Sequence, residues 1–234
     1  MGAPLILYGM NSPNVRKVVL MLEELALPYA LAHVAVFKGE QFTPEFRALN
    51  PLAKVPALLD PALGQPLAES AAILVYLGET HGRFLPADYP ARAEVMQWLM
   101  VQMASGGPML GQLNHFRSLP QDEQAESLYR LLDERLAGRE WIAGGAYSIA
   151  DMAIYPWAHY LEKHGFDPAA FPALIRWRAA IDARPATARA AQRMDEAFAA
   201  ISAETRKAAT KADLDRFFGR TDTMPPADYS AITR

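Results

Sequence analysis

The hydrophobic period of this sequence changes once, near residue 82, and that change constrains the fold more than any other feature. Before it, short apolar runs alternate with segments whose apolar residues recur at helical spacing, which is typical of a small α/β unit. Strands are predicted at residues 5–8, 29–36, 55–59 and 65–68, and helices at about 13–26, 44–49 and 69–81. After residue 90 the apolar period is helical, so an all-α unit is expected to follow.

These patterns also predict the domain organisation. We expect an α/β domain over residues 1–82, a linker with two prolines over 83–90, a helical domain over 91–202 and a C-terminal extension over 203–234. Helices in the second domain are predicted at 91–103, with a continuation broken at 106–108 that reaches 116, and at 122–138, 149–164, 171–184 and 186–200. The polar last thirty residues carry one amphipathic patch, at 214–218, and end in a Pro-Pro tail predicted to be an extended arm.

Composition excludes several kinds of function. The formal net charge of −3 provides no general positive field, so nucleic acid is not an expected partner. There is no cysteine, which removes disulfides, thiolate metal ligands and any sulfur nucleophile of the protein's own. The opening residues have no basic region before an apolar stretch, and no apolar run is long enough to span a membrane. A cytoplasmic protein without a membrane segment is expected.

The segment from Gly9 to Lys17 turns directly from a strand end into a helix. Ser12 is a preferred N-cap residue and Pro13 suits the first helical position, so the free amides of this helix point back at the loop and favour an anion. Capping alone would also explain Ser12. Two further features recur downstream: Val55-Pro56 begins a predicted strand, and Glu69-Ser70 begins a second helix with a carboxylate, a hydroxyl and free amides.

In this order, these elements resemble the thioredoxin-like half of glutathione transferases. The whole chain, from about residue 7 to 219, resembles the bacterial Nu-class glutathione transferases, which are known for glutathione-dependent disulfide-bond oxidoreductase activity. The matching stretches are 12–14 (Ser-Pro-Asn), 38–46 (Lys-Gly-Glu-Gln-Phe-Thr-Pro-Glu-Phe), 54–57 (Lys-Val-Pro-Ala), 69–74 (Glu-Ser-Ala-Ala-Ile-Leu), 107–112 (Gly-Pro-Met-Leu-Gly-Gln), 147–151 (Tyr-Ser-Ile-Ala-Asp) and 184–186 (Arg-Pro-Ala). The resemblance implies a thioredoxin-like α/β domain followed by an all-α domain, in a homodimer.

The resemblance also implies a set of site residues. Ser12 and Asn14 would be the catalytic residues, placed beside the glutathione sulfur. The residues implied to bind the rest of glutathione are Val55 by its backbone, Glu69 and Ser70 at the γ-glutamyl end, and Gln41 with Lys54 at the glycyl end. A helix N-terminus with hydrogen-bond donors can lower a thiol pKa, so the protein would position and ionise a borrowed thiol.

The sequence says less about the identity of the co-substrate than about glutathione. Met109 and Phe116 could line a pocket for an apolar co-substrate, although helical methionines more often belong to a core. A small disulfide is the first candidate, and conjugation of glutathione to an electrophile or a glutathione-binding module without turnover are the alternatives. One departure from the family pattern lies at residues 116–121, where a family segment that carries an arginine for a glutathione carboxylate is missing.

Two other groups of polar residues are not predicted to form a functional site. Ser148 and Asp151 have the spacing of a capping box at the start of a helix. The five histidines show no spacing typical of metal ligands, so no metal is expected.

Overall fold

The computed structural model describes residues 5–115, 122–220 and 229. The chain divides into two compact units, which we call the sheet unit and the helical unit. The sheet unit comprises Met1–Arg16, Leu27–Ile73 and Ala190–Arg234, and the helical unit comprises Lys17–Ala26 and Leu74–Arg189. The domain boundaries given by the sequence patterns stay a prediction, because these units are defined by contacts and not by contiguous chain.

The order of elements follows the predicted change of period. The strands are β1 (Leu5–Gly9), β2 (Tyr29–His33), β3 (Ala57–Leu59) and β4 (Leu67–Ala68). The helices up to the change of period are α1 (Pro13–Glu24), α2 (Pro44–Leu49) and α3 (Ser70–His81). Those after it are α4 (Tyr89–Val101), α5 (Gly107–His115), α6 (Asp122–Leu136), α7 (Ile149–Ala158), α8 (Pro172–Asp182), α9 (Pro185–Met194), α10 (Ala200–Lys207) and α11 (Lys211–Phe217).

The four strands form one mixed sheet in the order β2-β1-β3-β4. β1 is parallel to β2, and β3 is antiparallel to both β1 and β4. The predicted strand at 55–59 begins two residues late, at Ala57, because Pro56 has no N–H to donate to a neighbouring strand. The Val55–Pro56 peptide bond is cis.

The segment after residue 190 packs along β2, at one edge of the sheet. Arg193 Nη2 donates to the Tyr29 carbonyl over 3.0 Å, and the His33 and Ser202 side chains are hydrogen-bonded at 3.2 Å. Phe198 is fully buried in a π-helical turn between α9 and α10. The prediction of helix to about residue 200 stopped too early, since the helix continues through α10 to Lys207 and a separate helix, α11, follows after residues 208–210. The Pro-Pro tail lies outside the described residues.

The helical unit is built around buried aromatic side chains, among them Tyr129, Phe171 and Trp177. The capping box of Ser148 and Asp151 is confirmed at the start of α7. Asp151 is buried and accepts from the Ile142 amide at 2.9 Å and from Trp177 Nε1 at 2.8 Å. Burial raises the pKa of this carboxyl to about 6, although its hydrogen bonds act in the opposite direction.

The predicted helix break at 106–108 is instead a π-helical turn, Gln102–Gly106, that leads into α5. The Gly107 amide donates to the Gln102 carbonyl, five residues back. This wider turn precedes Pro108, which cannot donate a helical hydrogen bond of its own. None of the described helices is long and apolar enough to cross a membrane.

Candidate functional site

The sheet register brings three chain segments to one edge of the sheet unit. Tyr8, near the end of β1, pairs with Ala57 at the start of β3, and Ala57 pairs with Ala68 at the end of β4. Neighbouring strands lie about 5 Å apart. The segments that directly follow β1, precede β3 and follow β4 therefore lie side by side. We call this place the sheet-end site, and it takes in Ser12, Asn14, Val55, Glu69 and Ser70.

Ser12 caps α1, as its position before Pro13 predicts. The Val15 amide donates to Ser12 Oγ over 3.3 Å, and the Arg16 amide donates to the Ser12 carbonyl over 3.0 Å. The hydroxyl of Ser12 still has its own proton to donate, because it acts as an acceptor in the cap. Asn14 is half-buried in the first turn of the same helix. The positive end of the α1 dipole thus lies at the sheet-end site.

Gly9 is a residue of this site that the sequence analysis did not single out. A Cβ on Gly9 would lie 2.8 Å from Val15 Cγ1, which is too close for any side chain. The absence of a side chain therefore allows the first turn of α1 to pack directly against the end of β1. A glycine at the junction of a strand and a helix was the only available signal.

Glu69 and Ser70 bring a second helix start to the same edge. Ser70 is the first residue of α3 and is 4% exposed, whereas the Glu69 side chain is exposed. Glu69 has a φ of 67°, in the left-handed region that a non-glycine residue rarely adopts. Such a conformation costs about 1–3 kcal/mol and is commonest at functional sites. The Ile73 amide donates to the Glu69 carbonyl at 3.0 Å, so this residue begins the hydrogen bonding of α3.

The loop before Val55 is held by Asn50, another residue that the sequence analysis missed. Asn50 is buried, its Nδ2 donates to the Lys54 carbonyl over 2.7 Å, and its Oδ1 accepts from the Leu52 amide over 3.0 Å. The Lys54 side chain is exposed, and Val55 packs against the buried cluster of Val34, Val36 and Phe46. Asn50 follows the end of the short helix α2 and directly precedes Pro51, a position typical of a turn.

Gln41 lies in a 3-10 turn, Glu40–Phe42, between β2 and α2. Its side chain is 3% exposed, and Oε1 has no hydrogen-bond partner among the described residues. A buried polar atom without a partner lowers the stability of the fold by about 1–3 kcal/mol, so we expect Oε1 to bind a ligand atom or a water molecule. Because the oxygen and nitrogen of an amide can exchange places by rotation, the ligand atom could be a donor or an acceptor.

The co-substrate pocket predicted at Met109 and Phe116 stays a prediction. Met109 lies half-buried on α5 in the helical unit. Phe116 and the shortened segment at 116–121 lie outside the described residues. Among the residues that are described, no group of three His, Cys, Asp or Glu side chains is placed to hold a metal ion.

A mixed four-stranded sheet with this order and two helix starts at one end defines a thioredoxin-like domain. Joined to a helical unit, it has the architecture of glutathione transferases. Two family models match, the glutathione S-transferase N-terminal domain over residues 11–80 and the glutathione S-transferase C-terminal domain over 118–185. The chain belongs to the glutathione S-transferase family.

Curated and solved relatives agree with this assignment. The chain is 42% identical over 199 residues to the disulfide-bond oxidoreductase YfcG of Escherichia coli K12, covering 79% of this chain and 93% of that protein. A Pseudomonas fluorescens glutathione transferase family member, solved with two glutathione bound, is 40% identical with a TM-score of 0.73, covering 80% and 92%. A Pseudomonas putida glutathione transferase, solved with one glutathione disulfide per subunit, is 37% identical with a TM-score of 0.73, covering 80% and 90%.

Proposed function

We propose that this protein binds glutathione at the sheet-end site and uses the glutathione thiolate to reduce small disulfides. The proposal is supported by the similarity to YfcG, which is named a disulfide-bond oxidoreductase, and by the glutathione or glutathione disulfide bound in the two Pseudomonas relatives. The main observation in favour of this function is a chemical one. A thioredoxin-like sheet end with a hydroxyl-capped helix is present in a chain that contains no cysteine.

A chain without cysteine must obtain its sulfur from a bound molecule. The N-terminal end of α1 offers a partial positive charge, the Ser12 hydroxyl and the Asn14 amide, all of which favour a thiolate over a thiol. Lowering the thiol pKa from about 8.5 by one unit corresponds to about 1.4 kcal/mol of preference for the thiolate. Ser12 and Asn14 are therefore the residues we assign to the sulfur.

The rest of the site offers complementary groups for an extended tripeptide. The Val55 backbone, one residue before Pro56, is the proposed partner of the cysteinyl residue of glutathione. Ser70 and the free amides of α3 suit the γ-glutamyl carboxylate, and the exposed Glu69 carboxylate suits its ammonium group. The unpartnered amide oxygen of buried Gln41 is consistent with a ligand at the glycyl end, where Lys54 adds positive charge.

The proposed reaction uses two glutathione thiols in succession. The first thiolate attacks one sulfur of the substrate disulfide, forms a mixed disulfide and releases one substrate thiolate. A second glutathione thiolate attacks the glutathione sulfur of that mixed disulfide and releases the other substrate thiolate. Two electrons pass to the substrate, glutathione disulfide is the oxidised product, and the released thiolates take up the two protons.

The test measures glutathione disulfide formation with purified protein, glutathione and a small dialkyl disulfide. We expect saturable turnover that depends on both substrates and exceeds the uncatalysed exchange. The same protein is then assayed with a halogenated aromatic electrophile. Conjugation of the electrophile without disulfide reduction would contradict the proposal, and so would saturable glutathione binding without turnover of either substrate.

A further inference from the structure

The last described helix packs against the loop that carries Gln41. The match to the C-terminal family model ends at residue 185, so α11 lies beyond it. A capping box of Thr210 and Asp213 begins this helix. The facing loop, which we call the Gln41 loop, runs through residues 36–42 as two consecutive 3-10 turns.

Two contacts fix α11 against this loop. The rings of Phe37 and Phe217 have centroids 5.0 Å apart, and Phe217 packs on the buried cluster that includes Val36. Lys38 Nζ lies 3.2 Å from Asp213 Oδ2 and also donates to the Ala208 carbonyl. The hydrogen bonds from Thr210, with a smaller contribution from Lys38, hold the pKa of Asp213 at about 2. The charge of Lys38 is therefore already paired.

Arg216 extends from the same helix across Gly39. Its Nη1 lies 3.3 Å, and its Cδ 3.5 Å, from the position that a Cβ on Gly39 would occupy. Gly39 has a φ of 80°, so the chain turns there without a side chain and leaves room for the guanidinium. Gly39 precedes Gln41 by two residues, which span at most about 7 Å.

The guanidinium of Arg216 is available to a ligand. Within residues 5–115, 122–220 and 229, no carboxylate oxygen lies within ion-pair distance of it, whereas Asp213 and Asp215 on the same helix are paired with Lys38 and Lys211. The side chain is also exposed. A planar guanidinium binds a carboxylate through two parallel hydrogen bonds, which neither Gln41 nor a lysine can provide.

We propose that Arg216 binds the glycyl carboxylate of glutathione, an inference that rests on the function proposed above. The helix contacts of Phe217 and Asp213 position Arg216, and Arg216 adds a positive charge beside the Gln41 loop. The C-terminal segment is thereby part of the glutathione-binding site. It would select for a free carboxylate at the glycyl end over an ester or an amide at the same position.

The test compares glutathione with its glycyl ethyl ester by titration calorimetry on the full chain. Wild type should bind glutathione about tenfold more tightly than the ester. Arg216→Gln should weaken glutathione binding several-fold and leave ester binding unchanged, so that most of the difference between the two ligands is lost and Lys54 accounts for the remainder. Arg216→Lys should restore part of the difference. Lys211→Gln removes an equal charge from the same helix and should keep the wild-type ratio.

The outcomes separate this inference from the function on which it rests. Equal loss of both ligands in Arg216→Gln would indicate a merely structural role and overturn the inference. An unchanged ratio in that variant, or no preference for glutathione in wild type, would overturn it as well. Either result leaves glutathione binding itself intact. If wild type binds neither ligand, the proposed function fails together with the inference.

Discussion

Lys17 Nζ donates to Gln102 Oε1 over 2.6 Å inside the helical unit, where both side chains are buried. A buried ammonium is tolerated only when hydrogen bonds replace the water it has lost. The π-helical turn that begins at Gln102 presents the amide oxygen to this lysine, and Gly107 leaves room for the amide nitrogen, which would lie 2.9 Å from a Cβ at that position. Lys17 thus joins α1 to this turn through a buried hydrogen bond, and Met103 Sδ lies 3.9 Å from the same ammonium nitrogen.

We predict that Gln102→Leu destabilises the protein by about 2–3 kcal/mol, because it removes an acceptor from a buried charge. The free energy of unfolding is measured by urea denaturation. Gln97→Leu makes the same substitution at an exposed position of α4 and should change it by less than about 0.5 kcal/mol. Equal stability of the two variants would show that the contact contributes little.

The sulfur-binding assignment predicts unequal losses at the start of α1. Asn14→Ala should reduce the rate of disulfide reduction steeply, and Ser12→Ala should reduce it less. Ser12→Ala also removes a cap worth about 1 kcal/mol, so unfolding is measured alongside the rate. Ser12→Thr keeps the hydroxyl and should retain most of the activity. Wild-type rates in both alanine variants would remove this mechanism.

The hydrogen bonds of Asn50 predict an effect on glutathione affinity. Asn50→Asp removes the donor to the Lys54 carbonyl and keeps the acceptor for the Leu52 amide. The loop before Val55 should then be less well positioned, which raises KM for glutathione several-fold and changes kcat less. Gln65→Ala, at an exposed site in the turn before β4, is the control. A lower kcat with unchanged KM would contradict this positioning role.

Asp151 predicts a pH dependence of stability. In the folded protein this carboxyl keeps its proton up to about pH 6, whereas its ordinary pKa is 3.8. Its contribution to stability is therefore fully present below pH 3.8 and is lost as the pH rises through 6. The loss amounts to about 3 kcal/mol. Asp151→Asn should be less stable at acid pH and lack this component.

The pH prediction is checked by urea denaturation of wild type and Asp151→Asn at several pH values from 4 to 7. The difference between the two unfolding free energies should shrink as the pH rises. Parallel pH profiles would show that the hydrogen bonds to Asp151 from Ile142, Trp177 and the amide and hydroxyl of Ser148 hold its pKa near the ordinary value.

Local signals in the sequence were enough to predict the sheet unit's elements and both helix starts of the candidate site. Ser12 before Pro13 predicts the cap of α1, and Ser148 with Asp151 predicts that of α7, because capping depends on residues within one turn. The left-handed Glu69 was not predictable, since glutamate is not among the residue types, such as glycine, asparagine and aspartate, that favour this conformation. The contact of Phe37 with Phe217 joins residues 180 apart and leaves no periodic pattern.

Two differences from prediction share one physical cause. The π-helical turns at Gln102–Gly106 and Asp195–Ala199 each accommodate one extra residue within a continuing helix. The Gly-Gly-Pro sequence at 106–108 predicts a break in the first helix, and the hydrophobic period, which does not record an inserted residue, predicts that the second helix ends near residue 200. A π-helical turn leaves no periodic signal in a local window of sequence.

The covering of β2 by Arg193, Phe198 and Ser202 has a consequence for biosynthesis. The strands emerge from the ribosome first, yet the residues that shield the outer strand emerge after the whole helical unit has been made. Until then the nascent sheet presents an open edge, the kind of surface that invites pairing with another chain. The domain that is begun first is therefore completed last, and a nonsense truncation before residue 190 would leave it permanently unfinished.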